Sequence, residues 1–193
     1  TMSEDELTKL ISETNAQVQK LEQRKNELSS QLNALKDTAD KNEKAAEIAK
    51  QNAQTNGILS GRLAATGEGV VIRISQGSKQ KIDSAILFTL LEELRNSGAE
   101  VIEINNVRVV TSTYISGTAG SLVCDGTKLK SPFTIRAIGD SDNLQNAVNL
   151  AGGVGSRLKV KYGATVSVSP SDKVMIKSTR QAPQYTYAHV IGQ

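Results

Sequence analysis

The 193-residue chain contains no tryptophan, one cysteine, one histidine and three prolines. A single cysteine excludes a disulfide within the chain, and without a Cys/His cluster we expect no zinc site. No apolar run approaches the roughly 20 residues that a membrane-spanning helix needs, and no signal peptide is recognisable. These absences argue against the disulfide-stapled, zinc-binding and membrane-spanning classes for the sequence as it stands.

Aromatic residues are unevenly distributed and divide the chain. Residues 1–66 contain no aromatic, proline or cysteine, whereas residues 67–193 hold all six aromatics, all three prolines and Cys124. The second part is long enough to bury a core. We predict four segments: a coiled-coil helix at 1–60, a linker at 61–68, an α+β globular domain at 69–179, and a C-terminal tail or added edge strand at 180–193.

The charge of the chain is close to balanced. The formal net charge is +3, with 9 basic and 10 acidic residues in 1–66 and 14 basic and 10 acidic residues in 67–193. A nucleic-acid-binding surface would show denser Lys/Arg clustering with interleaved aromatics. We therefore expect no nucleic acid as a partner.

The first 60 residues carry an apolar heptad pattern. Positions seven apart from Ile11, and again from Leu7, form the a and d series of one register over about six heptads. Such a repeat predicts a left-handed coiled coil with a second chain. The apolar seam residues of the predicted homodimer are Leu7, Ile11, Val18, Leu21, Leu28, Leu32 and Leu35. The alternative is a helix that folds back onto its own globular domain.

Two polar residues and several alanines interrupt this seam. Lys25 at an a position and Asn42 at a d position weaken the pairing, but such residues favour a fixed register and two strands. The last heptads carry alanine, which buries little area. We expect the N-terminal half of the seam to hold most of the association energy.

The globular part alternates strand and helix patterns. Residues 69–75 and 99–105 have the composition of strands, and 82–98 between them is an amphipathic helix that Asp83 or Ser84 can cap. Further extended runs follow at 107–116 and 133–139, a hairpin turns at Asp125-Gly126, a helix covers 140–163, and two strands close the domain at 164–170 and 172–178. This order predicts a ferredoxin-like (split βαβ) sandwich, α+β in class, with a mixed sheet and two helices.

The glycine-rich stretch 152–156 does not match a phosphate-binding loop. A P-loop follows a strand and continues as Gly-Lys-Ser/Thr into a helix, whereas here a helical run precedes the glycines and no such lysine follows. We interpret Gly152 and Gly153 as a break in the helix. Of the basic residues that follow, Arg157, Lys159 and Lys161 cannot all share one helix face.

Acidic residues are present but show no convergent pattern. A magnesium site of the cyclase type needs paired carboxylates at strand ends. Asp125 fits a turn residue and Asp140 a helix cap, Asp142 lies beside that cap, and Glu103 is expected to face solvent or a partner. We predict no enzyme, no metal and no cofactor.

A long polar stretch at 104–120 remains as a candidate surface. Loops of this length often carry function. Its candidate ligand or partner residues are Asn105, Asn106, Arg108, Thr111 and Ser112. The alternative is an edge strand with its connection.

Five ordered motifs resemble one known family. They are Gly-x-Gly-Val at 67–70, the "LRNSGAEVIEIN" run at 94–105, the Asp-Gly hairpin before Pro132, "IRAIGD" at 135–140, and the glycine pair followed by "YG" at 162–163. Over residues 67–178 the chain resembles the bacterial "division initiation protein" family, domain of unknown function 881. The resemblance implies a ferredoxin-like core similar to that of the nucleotide cyclases, without established enzymatic activity.

The same resemblance implies a cellular setting. Family members carry a short cytoplasmic tail, one membrane anchor, a coiled coil and then this domain outside the membrane, mostly in Gram-positive bacteria and near cell-division genes. It therefore implies an extracytoplasmic, membrane-anchored scaffold with protein partners in the cell envelope, its anchor not being part of this sequence. Two alternatives stay open: a sensor domain that binds a small ligand near 104–120, and a degenerate nucleotide-cyclase-like protein.

Overall fold

A computed structural model describes residues 3–192, which fall into two units that divide after Asn52. The first unit is helical. Helix α1 spans Glu4–Leu59, so its last turns belong to the second unit. At its start Ser3 and Glu6 form a capping box, in which the Glu6 amide donates to Ser3 Oγ at 3.2 Å and the Ser3 amide to Glu6 Oε2 at 2.9 Å. This reciprocal pair satisfies two amides that the first turn leaves without helical partners.

The heptad stripe lies on the surface of α1. Helix α1 buries none of its residues. The seven apolar seam residues, Leu7 to Leu35, are between 47% and 69% exposed. The predicted helix is present over nearly all of 1–60, and its pairing with a second chain stays a prediction.

Two glycines, Gly57 and Gly61, lie where α1 ends at Leu59. The Gly57 carbonyl accepts from the amides of Arg62 (2.8 Å) and Leu63 (3.1 Å). Gly61 then adopts a φ of +77°, which a residue with a side chain rarely adopts. The chain turns there and enters the first strand.

The second unit contains a five-stranded sheet in the order β3-β2-β7-β1-β8. Its strands are β1 (Ala65–Ser75), β2 (Val101–Ile104), β3 (Val107–Val109), β7 (Phe133–Ile138) and β8 (Thr165–Ile176). All neighbouring pairs are antiparallel, so the prediction of a mixed sheet is wrong. β1 and β2 do run in the same direction across their helix, but β7 lies between them and is antiparallel to both.

The two longest strands exceed their predicted bounds. β1 begins at Ala65, inside the stretch predicted as a linker, and β8 is one strand where two were predicted. Pro170 lies opposite Val70 on the edge strand, the position in a sheet where proline is tolerated. The pairing shifts register between Gly67 and Gly69.

A small second sheet follows β3 along the chain. It consists of β4 (Ile115–Thr118), β5 (Ser121–Cys124) and β6 (Thr127–Leu129). Asp125 and Gly126 both have positive φ, +47° and +87°, as the predicted type I′ turn requires. The extended run predicted at 107–116 is instead interrupted between β3 and β4.

Three helices, where two were predicted, pack on one face of the large sheet. They are α2 (Ser84–Asn96), α3 (Ser141–Asn149) and α4 (Val154–Val160). Asp83 caps α2 by accepting from the Ile86 amide at 2.9 Å. The predicted glycine break separates α3 from α4, and Gly155 packs so closely on α3 that a Cβ there would lie 2.1 Å from the Val148 carbonyl oxygen.

The core lies between these helices and the sheet. Side chains such as Ile72, Ile104 and Ile135 of the sheet and Leu87 and Leu90 of α2 are fully buried in it. The opposite face of the sheet carries a smaller cluster at one end, formed by Val101, Ile138, Val174 and Ile176 with Ile58 of α1 packed against it.

Candidate functional site

The predicted surface at 104–120 is not one continuous binding surface. Asn105 and Asn106 have φ values of +45° and +64° and form the two-residue turn between β2 and β3. The Asn105 side chain donates to the Lys130 carbonyl at 2.9 Å and accepts from the Thr134 amide at 2.8 Å. Asn105 therefore fixes the hairpin against β7, with both its side-chain nitrogen and its side-chain oxygen engaged.

Arg108 does not lie on the surface as predicted. It is 2% exposed, and its guanidinium donates to the carbonyls of Ile58 (2.9 Å), Leu63 (2.9 Å) and Ser178 (3.0 Å). Burial lowers the pKa of Arg108, and the nearby Glu103 charge opposes that shift. The side chain points inward because three backbone carbonyls lie within its reach. They come from the end of α1, from the connection between α1 and β1, and from the residues that follow β8.

The other two predicted surface residues, Thr111 and Ser112, are exposed in the turn between β3 and β4. Arg108 is buried and the Asn105 side chain bonds to the backbone of the protein. Asn106 is exposed, like Thr111 and Ser112. The structure therefore does not bring the five predicted residues together into one site.

A second arginine ties the C-terminal segment to the same region. The Arg180 amide donates to the Gly61 carbonyl at 2.6 Å and its Nε to the Arg108 carbonyl at 2.9 Å. Its guanidinium also pairs with Asp125. The segment 180–192 contains no strand, so an added edge strand is not present in the part of this single chain that the structure describes.

The face of the sheet opposite the helices carries a groove of about 620 Å³. Glu103 of β2 and Arg136 of β7 are cross-strand neighbours there and form an ion pair at 3.0 Å. Glu103 is 3% exposed, so it does not face solvent, and that it faces a partner stays a prediction. The lining residues are Val71, Glu103, Asn106, Arg136, Ser171, Lys173, Val174, Met175, Lys177 and Ser178.

Sequence reasoning missed the basic residues of this groove. Lys173, Met175 and Lys177 alternate with Val174 and Ile176, which are buried in the cluster on this face, so these three side chains lie on the other side of the strand. The pairing of Glu103 with Arg136 depends on the register of two strands about 30 residues apart, which no local pattern reveals. Within the 104–120 surface, Asn106 alone lines the groove.

The acidic residues considered for a metal site have separate roles. Glu103 pairs with Arg136 and Asp125 with Arg180. Asp140 caps α3 by accepting from the Asn143 amide at 2.9 Å, and Asp142 lies in the first turn of that helix. Within residues 3–192 no group of three or more His, Cys, Asp or Glu side chains is arranged to hold a metal ion.

Two buried ionisable groups have shifted pKa values for structural reasons. Burial raises the pKa of the Cys124 thiol, in keeping with its predicted place in an apolar run. Burial, together with a 2.7 Å hydrogen bond to Asp83, raises the pKa of Tyr162 to about 12. Tyr162 thereby links the end of α4 to the residue that caps α2.

Comparison with known proteins identifies the class to which this fold and these motifs belong. A family model described as "Bacterial protein of unknown function (DUF881)" matches residues 52–189, and the chain is a member of that family. The match extends beyond the motif-bearing stretch 67–178 to include the last two turns of α1 and most of the C-terminal segment. The family description assigns no function and does not mention division.

Relatives from two genera support the assignment. The chain is 34% identical to UPF0749 protein Rv1825 of Mycobacterium tuberculosis over 169 residues, which cover 86% of this chain and 57% of the relative. It is 30% identical to UPF0749 protein YlxW of Bacillus subtilis, over 61% of this chain and 54% of that protein. The chain thus spans a little over half the length of these curated relatives.

A solved structure is similar to a large part of this chain. The crystal structure of an uncharacterized conserved protein from Mycobacterium tuberculosis matches with a TM-score of 0.66 and 35% identity, over 72% of this chain and 99% of that chain.

No helix within residues 3–192 combines the length and the apolar character needed to cross a bilayer.

Proposed function

We propose that this protein is a non-catalytic, membrane-anchored scaffold of the bacterial cell envelope, linked to cell division. The observation that carries the proposal is the apolar heptad stripe of α1, which is continuous in the sequence and exposed along the helix. Burying such a stripe is favourable because apolar area leaves water. A second copy offers an identical stripe in the same register, so we propose a parallel homodimeric coiled coil.

The fold of the second unit is consistent with this role. We propose that it is a ferredoxin-like domain with one extra edge strand. Strands β1 and β2, which α2 connects, flank β7, and β8 lies on the far side of β1. The extra strand is β3, at the other edge. The anchor is proposed to precede the coil, which would hold the domain on the extracytoplasmic side in a Gram-positive cell. Protein partners of the envelope would then bind the domain.

Sedimentation velocity tests the coil directly. The double substitution Leu28→Asp and Leu32→Asp places four carboxylates in the dimer seam, so we expect a species of the 20.6 kDa chain mass in place of a dimer. The matched control is Gln23→Asp with Ser30→Asp, which adds the same charge on the opposite, f-position side of the helix and should leave the dimer intact. A dimer that survives the seam substitutions would contradict the proposal.

Crosslinking in cells tests the scaffold role. The longer, anchored protein should capture envelope proteins, and the Leu28→Asp/Leu32→Asp variant should lose that capture while the Gln23→Asp/Ser30→Asp control keeps it. An identical set of captured proteins in both variants would mean that dimerisation does not serve partner binding. Magnesium-dependent nucleotide binding in calorimetry would instead favour the cyclase-like alternative.

A further inference from the structure

The C-terminal segment 180–192 exposes its large apolar side chains. Tyr185, Tyr187, Val190 and Ile191 are 72%, 93%, 77% and 100% exposed, although the segment follows a well-packed domain. Its sequence has the alternation of a strand, because an extended chain would place Tyr185, Tyr187 and Ile191 on one side. The family model extends to residue 189, so both tyrosines lie within the region that matches the family.

The large sheet has one closed edge and one open edge. At the β3 edge the Arg108 carbonyl accepts from Arg180 Nε at 2.9 Å, and the Val110 carbonyl just beyond accepts from the Arg95 guanidinium at 2.7 Å. Strand β8 forms the opposite edge. Within the described range 3–192, residues 165–169 of β8 form no backbone hydrogen bond apart from those to β1. Side chains thus occupy the β3 edge, whereas the first half of β8 is free.

The hydrogen-bond register identifies the free backbone groups of β8. The Gly139 amide donates to the Glu68 carbonyl at 2.9 Å, so the even-numbered residues of β1 bond to β7 and the odd-numbered residues bond to β8. The odd-numbered residues of β1 lie opposite odd-numbered residues in this half of β8. The amides and carbonyls of Val166 and Val168 therefore point away from β1, and they offer two donors and two acceptors.

The free half of β8 lacks the features that usually protect an edge strand. Proline, lysine and bulges are common protections, and the second half of β8 has all three, in Pro170, Lys173 and the register shift between Gly67 and Gly69. Residues 165–169 have the sequence Thr-Val-Ser-Val-Ser, without charge or proline. The first half of β8 is therefore suited to accept another strand.

We propose that the C-terminal segment of one chain adds as a strand to the β8 edge of a second copy. Each chain contains both the segment and the free edge, so two copies can exchange segments reciprocally and form a closed symmetric pair. Tyr185 and Tyr187 would lie beside the half-buried side chains of Val166 and Val168, which pack against the core, as favourable cross-strand pairs. This assembly goes beyond the proposed scaffold role and does not depend on the coiled coil.

The segment of the same chain is badly placed to occupy this edge. Arg180 is bonded to the carbonyls of Gly61 and Arg108, which fixes the start of the segment on the β3 side of the sheet. β8 lies four strand positions from β3, a distance of about 19 Å. Roughly six extended residues would be used in that crossing, so Tyr185 would not reach β8. A second copy supplies the segment without such a crossing.

Photocrosslinking between isotopically distinct copies tests the proposal. The full chain carrying Tyr187→benzoylphenylalanine is prepared unlabelled, mixed in urea with the ¹⁵N-labelled unsubstituted chain, refolded by dilution and irradiated. We expect mass spectrometry to find peptides that join residue 187 of an unlabelled copy to residues 164–170 of a labelled copy.

Proline substitutions in the segment supply the matched variant. Thr186→Pro with His189→Pro removes a backbone donor from each side of an added strand, at exposed positions that leave the domain itself intact. Loss of a hydrogen bond should lower the crosslink yield about fivefold. The amides of Val166 and Val168 should exchange with solvent about tenfold faster. The control, Thr186→Ala with His189→Ala, keeps both donors and should change neither quantity.

The outcomes separate the possible occupants of the edge. Crosslinks between copies that reach residues 164–170 and are lost in the proline variant alone support the proposal. Crosslinks confined to the same copy would show that the chain's own segment occupies the edge, and crosslinks that avoid β8 would exclude the site. Equal exchange of the Val166 and Val168 amides in the proline variant and its control would also overturn the proposal.

Discussion

Removal of the buried guanidinium of Arg108 should cost a large part of the stability of the second unit. Arg108→Met keeps most of the aliphatic stem but deletes three charge-assisted hydrogen bonds, to the carbonyls of Ile58, Leu63 and Ser178. These carbonyls belong to three separate segments, which the guanidinium joins at one point. The substitution leaves Glu103 paired with Arg136, so it does not strand a buried carboxylate.

The expected magnitude follows from those three bonds. Each is worth about 1–1.5 kcal/mol, and the carbonyls that lose their donor are left in a dry region. We therefore expect a loss of about 3–5 kcal/mol, in line with breaking a buried charged network on one side. Domains of this size are stable by about 5–15 kcal/mol, so the loss is a substantial fraction of the total. Arg108→Lys should give an intermediate loss because an ammonium cannot match the guanidinium fork.

Urea unfolding at a fixed protein concentration, followed by tyrosine fluorescence and circular dichroism, measures this loss. A fixed concentration is needed because the proposed dimerisation would make the apparent stability depend on it. Arg62→Met is the control, since Arg62 is an exposed arginine of the same connection and its removal should cost less than about 0.5 kcal/mol. An Arg108→Met loss below about 1 kcal/mol would refute the reasoning that Arg108 joins these segments.

Three further predictions concern other parts of the chain. Lys25→Ile should lower the dissociation constant of the proposed dimer about tenfold in sedimentation equilibrium, because it removes facing charges from the seam. Lys20→Ile lies outside the seam and should leave that constant unchanged. Equal effects of the two substitutions would place the seam elsewhere. Burial, together with the hydrogen bond to Asp83, raises the pKa of Tyr162 to about 12 against an ordinary 10.0. This gives stability that is complete below pH 10 and is lost as the pH rises through about 12, so Tyr162→Phe should flatten that loss in urea unfolding, and an unaltered profile would rule out Tyr162 as its source. Gly69→Ala should destabilise by about 2 kcal/mol or more, because its Cβ would lie 1.9 Å from a backbone carbonyl oxygen of β7; a neutral effect on the unfolding midpoint would contradict the observed register.

Features determined by local sequence were predictable. The heptads predicted the extent of α1, because helix periodicity is expressed within a few turns. Asp83 as the cap of α2 and Asp125-Gly126 as a type I′ turn follow from the backbone geometry that these residues favour. The glycine pair at 152–153 likewise breaks the helix where the sequence indicates.

Features determined by distant contacts were not predictable from one sequence. The antiparallel sheet results from β7 entering between β1 and β2, more than 25 residues after β2 ends. Arg108 and Glu103 look like surface residues in a list of polar positions, since arginine and glutamate are seldom fully buried. Their burial depends on carbonyls and charges contributed by segments 30 to 70 residues away.

The second hairpin turn shows an intermediate case. Asn105-Asn106 lies between two apolar strands, and asparagine tolerates positive φ, so the pair could have been recognised as a turn. Interpreting the residues as free hydrogen-bonding groups overlooked this local signal. Of the five residues of the candidate surface at 104–120, only Asn106 lines the groove.

Disulfide trapping of the coil tests the central claim most directly. In a parallel coiled coil with the proposed register, Leu28→Cys places two d-position thiols opposite each other, within the roughly 4.4–6.8 Å Cα separation that a disulfide needs. Ser30→Cys, two residues further on the outer face, keeps its thiols far apart, and the native Cys124 is buried. The account predicts a covalent dimer under mild oxidation for Leu28→Cys and none for Ser30→Cys, whereas equal crosslinking of both, or of neither, would contradict it.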